Sequence, residues 1–91
     1  MPEYIRQIVR EHRFERELRT LINAAIPADQ FVEAAEFLLA RDPLVGSPLD
    51  EDRLVYFLPM TPVAGQQVSL YYTFDESTVW LLSIGRVTGE G

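Results

Sequence analysis

On a helical wheel Ile5, Ile8, Val9 and His12 gather on one side, whereas Phe14, Leu18, Leu21, Ile22 and Ala25 gather on the other. An uninterrupted amphipathic helix keeps its apolar stripe on one face. The phase reverses around Glu11–Arg13, so the element changes there. Tyr4–Val9 is short and β-branched, which predicts an edge strand; a short separate helix over residues 4–10 is the competing assignment. From Arg13 to Ala25 the stripe predicts a helix. Ile26–Pro27 interrupts it, because the residue before a proline is pushed out of the helical region. Proline fits the first helical turn, so a second helix is predicted from Pro27 to Arg41, packing through Phe31, Ala34, Ala35 and Leu38. Asp42–Pro43 stops it. Two helices joined this tightly are expected to pack as an antiparallel pair.

The rest of the chain has the period of strands. Residues 43–52 (PLVGSPLDED) carry two prolines, a glycine and an acidic tip, and read as a loop. Leu54–Leu58 is an apolar run that Pro59 ends, and Pro59–Gln66 reads as a second loop. Gln67–Phe74 and Val79–Ile84 follow as a hairpin joined by Asp75-Glu76-Ser77-Thr78. In the last strand Val79, Leu81 and Ser83 are expected on one side and Trp80, Leu82 and Ile84 on the other. Both sides are apolar, so one should meet the helices and the other a loop, a terminus or a partner protein. Tyr71 and Tyr72 must point to opposite faces, and Trp80 reads as a core anchor. The predicted architecture is α+β in the order β-α-α-β-β-β, an antiparallel sheet with a helix hairpin on one face.

Charge narrows the function classes. All eight basic residues are arginines. Five of them stand with four glutamates in the first nineteen residues, a net +1, while the remainder sets three arginines against ten acids, a net −7. A total of −6 opposes tight nucleic-acid binding, which neutralises phosphates with a basic face. The N-terminal arginines read as a solvated, salt-bridge-laced face. Cysteine is absent, which excludes disulfides and thiolate catalysis and fits a reducing cytoplasm. No apolar run reaches the roughly 18 residues that span a bilayer, and no signal peptide is expected. Ninety-one residues are expected to form a single domain over 1–91. His12 is the lone histidine, and with no cysteine beside it neither a metal site nor a cofactor is expected.

Three segments together resemble the RelE/ParE superfamily of small bacterial toxins. These are "REHRFERELRTL" at Arg10–Leu21, "DPLVGSPL" at Asp42–Leu49, and "YTFDESTVWLLSIGRV" from Tyr72, which is similar to the family pattern Y.(V/F)D(D/E)…V.(V/I)L.IG. The resemblance covers Val9 to Val87 and implies a protein of a bacterial toxin–antitoxin module. Its members cut messenger RNA on the ribosome or inhibit DNA gyrase, and are held inactive by an antitoxin protein. If the chain is an enzyme, it would be a ribosome-dependent mRNA endonuclease, which needs cations to hold the scissile phosphate.

By this resemblance Arg86 takes the position where the family often carries a basic residue or histidine after the last strand, and Arg53 is a second candidate phosphate contact. Tyr71 and Tyr72 are candidates for stacking on a base or meeting a partner. Many members carry an arginine three residues before the tyrosine, where this chain has Ser69, and Asp50, Glu51 and Asp52 crowd Arg53. Such a set is a poor phosphate trap, so a weak or degenerate toxin is expected. The alternative is a non-enzymatic protein–protein interaction module sharing the fold. Membrane is not an expected partner; the oligomeric state stays open, a homodimer included.

Overall fold

The computed structural model describes residues 5–26, 28–49, 51–52, 54–59 and 67–86. Strand β1 (Gln7–Arg10) leads into helices α1 (His12–Asn23) and α2 (Ala28–Arg41). A 3₁₀ turn at Pro43–Val45, the two-residue strand β2 (Ser47–Pro48), β3 (Tyr56–Pro59), β4 (Val68–Phe74) and β5 (Thr78–Arg86) complete the order. The expected 43–52 loop thus contains a short turn and a strand that pairs with β3. Of residues 4–10, Gln7–Arg10 form a strand and the described residues hold no helix. Pro27, Arg53 and most of the expected Pro59–Gln66 loop lie outside the described residues.

The sheet order is β1-β5-β4-β3-β2. It is mixed rather than wholly antiparallel, because β1 runs parallel to β5, with Ile8 opposite Val79 and Arg10 opposite Leu81. The reason is topological. The helix hairpin returns the chain to the end of the sheet where β1 starts, and the backbone N–H of Arg6 donates to the Ala40 carbonyl there at 2.8 Å. The meander then reverses twice, so β5 finishes in the direction of β1.

Helix α1 buries Phe14, Leu18 and Leu21, the stripe its sequence period marks. It ends in a Schellman motif: Ile26 N–H donates to the Leu21 carbonyl and Ala25 N–H to that of Ile22. Leu21 and Ile26, both buried, close the apolar contact that accompanies such caps. The residue in the left-handed position is Ala25, at φ 64°, where glycine is normally preferred.

Helix α2 corrects the expected packing face. It buries Ala28, Val32, Ala35, Leu39 and Ala40, while Ala34 and Leu38 are exposed and Phe31 is half-buried. Apolar residues surround this helix, and two stripes compete for the sheet. An ion pair biases the choice: Arg10 of β1 makes two hydrogen bonds to the Glu36 carboxylate, at 2.7 and 3.1 Å. That contact turns the Val32–Leu39 side inward.

The core joins these helices to Tyr56, Val68, Leu70, Tyr72, Val79, Leu81 and Ile84. Full burial of side chains this size contributes about 1.5–3 kcal/mol each. The expected alternation in β5 fails at one point. Tyr72 faces Leu81 and Tyr71 faces Ser83, so Leu82 is an extra residue and Ile84 returns to the interior.

Tyr72 is wholly buried, and its hydroxyl donates to the Pro43 carbonyl at 2.6 Å and accepts from the Gly46 N–H at 3.0 Å. A Cβ on Gly46 would collide with the Tyr72 hydroxyl and the Phe57 carbonyl, so only glycine fits. Burial pushes the Tyr72 phenol up to about 12, against the lowering effect of the Gly46 N–H.

Tyr72→Phe is expected to cost roughly 1–3 kcal/mol in urea unfolding, because the buried Pro43 carbonyl and the part-buried Gly46 N–H lose their partner. Gly46→Ala should cost a similar amount through the collision, about 1–3 kcal/mol. The neutral phenol contributes stability that is complete below the unfolded value of 10.0 and is lost as pH rises towards about 12. Stability of the wild type should therefore fall more steeply across that window than stability of Tyr72→Phe. Ala25→Gly should instead raise stability by about 0.5–1 kcal/mol by relieving the left-handed alanine.

Candidate functional site

Cross-strand partners share a face, so away from the irregularity at Leu82–Ser83 the register sorts the paired strand residues. Ile8, Tyr56, Leu70, Tyr72, Phe74, Val79 and Leu81 meet the helices or the interior. The opposite face carries two aromatic rows: Val9–Trp80–Thr73 across β1, β5 and β4, and Phe57–Tyr71 across β3 and β4. The rings of Phe57 and Tyr71 are 6.4 Å apart. Trp80 therefore does not anchor the core; it stands half-buried on the open face, because Val79 and Leu81 already fill the inward positions. Beside the aromatic rows runs a row of small residues, Pro59–Ser69–Gly85. Pro59 and Ser69 of that row floor a shallow apolar groove lined also by Leu49, Phe57, Gln67 and Tyr71. A Cβ on Gly85 would meet nothing within 4 Å, so the row is open at its β5 end.

The two tyrosines divide the expected roles. Tyr71 lines the open face, whereas Tyr72 is spent on the interior and presents nothing outward. Arg86 is exposed at the end of β5 and faces Val68, a position on the helix-covered side. Its side chain makes no hydrogen bond or ion pair among the described residues. Arg53 lies outside them. His12 is exposed at the first position of α1.

Arginines on the other elements are mostly engaged. Arg10 is tied to Glu36, and Arg6 donates from Nε to the Asp75 carbonyl at 2.8 Å with its guanidinium 5.8 Å from the Phe74 ring centre. Arg13 pairs with Glu17. The described strand arginines, Arg10 and Arg86, both take the covered side of the sheet. No described residue therefore puts a cation on the open face by register. The hairpin tip beside that face is acidic. There the Asp75 carboxylate accepts the N–H groups of Ser77 and Thr78, bonds that lead in holding it below its ordinary value.

One functional contact was not legible beforehand. Strand β1 stops at Arg10, which leaves the last part of β5 without a strand on that side. Glu17 of α1 fills the gap: its carboxylate accepts the Ile84 N–H at 3.1 Å and the Ser83 hydroxyl at 2.7 Å. Burial works against its charge, but the bonds from Ser83, Ile84 and Arg13 hold the carboxyl below its ordinary value. The signal in the sequence was an acid flanking the apolar stripe of Phe14, Leu18 and Leu21, where an unpaired charge is costly.

Among the described residues no group of His, Cys, Asp or Glu could hold a metal, and no helix is long and apolar enough to cross a membrane. No protein-family model matches the chain, and neither a curated protein nor a solved structure matches it. The open face offers aromatic and apolar contact area with a polar rim. That arrangement suits docking of another polypeptide.

Glu17→Ala is expected to lower stability by about 1–2 kcal/mol at neutral pH, since Ile84 and Ser83 lose their acceptor. A depressed carboxyl contributes stability above its unfolded value, and loses it as pH falls. The gap between wild type and Glu17→Ala should thus narrow as pH drops below the ordinary 4.5, measured by urea unfolding at stepped pH.

Proposed function

We propose that this chain is a RelE/ParE-like protein of a bacterial toxin–antitoxin module, acting in the cytoplasm by protein–protein contact through the open sheet face. The observation that carries the reading is the chemistry of that face: Val9, Phe57, Tyr71 and Trp80 with no cation at a described register position. Cutting RNA would require positive groups around a scissile phosphate. A protein target or antitoxin needs buried aromatic anchors with a polar rim. The element order and the contact between two of the resembling segments, Tyr72 with the Pro43–Gly46 turn, support the family side of the reading.

The acidic hairpin tip and net charge of −6 favour a partner whose docking segment is apolar and flanked by basic residues. Arg86 is the candidate for phosphate chemistry if the chain does act on RNA, with Arg53 beside it in the resemblance. The same face, with no cation at its described positions, also favours a second reading, an interaction module outside toxin–antitoxin systems. A neighbouring short reading frame with a DNA-binding N-terminus and a disordered tail separates the two in favour of the first.

Induced expression in a bacterial host is expected to arrest growth. Trp80→Ala with Tyr71→Ala should relieve the arrest, as should Gly85→Leu, which adds bulk at the open end of the small-residue row beside the groove. Arg86→Ala should leave the arrest in place. Relief by Arg86→Ala alone would transfer the function to phosphate chemistry. Absence of arrest from folded, soluble protein would contradict the toxin reading.

A further inference from the structure

Ser69 is 4% exposed, and among the described residues it is the only buried serine, threonine, amide or charged side chain. Its partners across the strands, Pro59 and Gly85, offer it no hydrogen-bonding side chain. The Ser69 hydroxyl makes no hydrogen bond among the described residues. No side-chain polar atom there is both sealed from solvent and without a partner. The hydroxyl therefore keeps the little surface that Ser69 has, and that surface opens into the groove lined by Leu49, Phe57, Pro59, Gln67 and Tyr71. An unpaired hydroxyl in an apolar setting is costly, so this one marks a point where a group from outside can bond.

The floor of the groove identifies the conformation of what fills it. A helix spends its backbone N–H and carbonyl groups internally except at its ends, and it would reach Ser69 with a side chain alone. An extended segment keeps its backbone groups free for a partner. The row Pro59–Ser69–Gly85 raises no tall side chain above the sheet, and a glycine within a strand lets another backbone approach closely. Leu49, Phe57 and Tyr71 give an apolar side chain of that segment something to pack against, the two rings lying 6.4 Å apart. Charge sets one end. The four residues after Leu49, Asp50-Glu51-Asp52-Arg53, hold three acids and one arginine, a net −2, and Glu51 and Asp52 are exposed. A basic residue of the segment is favoured on that side.

We infer that this groove binds a polypeptide segment in extended conformation, one of whose backbone groups bonds the Ser69 hydroxyl while a neighbouring apolar side chain packs on Leu49, Phe57 and Tyr71. The inference rests on the proposed docking of a polypeptide at the open face and adds the conformation and the anchoring bond.

Two displayed libraries test it on the full chain: short peptides punctuated by proline, which cannot form a helix, and a helical scaffold randomised on one face. Selected sequences are synthesised and titrated while the backbone amide resonances of the protein are followed. The proline-punctuated library is expected to yield binders with a large apolar residue beside arginine or lysine, shifting the amides of Ser69, Tyr71 and Gln67. Ser69→Ala should weaken them roughly three- to tenfold, the loss of one hydrogen bond, and leave the melting transition of the free protein unchanged or higher. Leu49→Ser, at a position 52% exposed, should weaken them about tenfold or more through lost apolar contact. Undiminished binding by Ser69→Ala, or a lower melting transition that makes the hydroxyl part of the fold, would overturn the inference. Binders to the open face from the helical library alone would overturn it and leave the proposed function standing. Failure of both libraries to yield an open-face binder would also overturn it. If an oligoribonucleotide then shifts the Arg86 amide, the proposed function falls with it.

Discussion

The hydroxyl of Tyr72 is where the sheet and the turn after the helix hairpin close on each other. It serves a buried carbonyl at Pro43 and a backbone N–H at Gly46 at once. Its ring packs with Tyr56 at 5.7 Å and Phe74 at 6.2 Å between centres. A buried phenol without partners would be destabilising, and so would the two backbone groups left unpaired. Satisfied together, they fix the height of the turn over the sheet. The consequence reaches the other side of the molecule. With Tyr72 held inward, strand alternation turns Ser69, Tyr71 and Thr73 outward, and pairing sets Phe57 and Trp80 beside them. The open face inherits its chemistry from that interior hydrogen bond.

Much of this was readable from residue order. The phase reversal at Glu11–Arg13 marked the strand-to-helix junction, and Ile26–Pro27 marked the break between the helices. The tyrosine pair had to split across the sheet, because adjacent strand residues point oppositely. What escaped reading had a common cause: local patterns with two apolar answers. Apolar residues surround α2, so its packing side depended on the Arg10–Glu36 pair, which joins residues far apart in sequence. Both sides of β5 are apolar, so nothing local announced the extra residue at Leu82 or sent Trp80 outward. The parallel pairing of β1 depends on where the helix hairpin delivers the chain, a global property. Glu17 was passed over as one more acid among the N-terminal arginines, and its acceptor role depends on β1 ending early.

Electrostatics and topology converge on the same division of labour. Arg6 and Arg10 tie elements together through Asp75 and Glu36, Arg41 covers the Phe37 ring, and Arg13 pairs with Glu17 along α1. The open face keeps aromatic area and an acidic border. Such a surface gains from apolar burial and gives orientation through charge at its rim. It offers a phosphate little.

The proposal to be tested is that this protein acts by binding a polypeptide rather than by cutting RNA. The most direct measurement programs purified ribosomes with a defined messenger, adds the folded full chain, and maps RNA ends by primer extension. The account predicts no new ends in the messenger at any protein concentration that saturates the ribosomes. New ends at the codon in the A site, absent with Arg86→Ala, would contradict it.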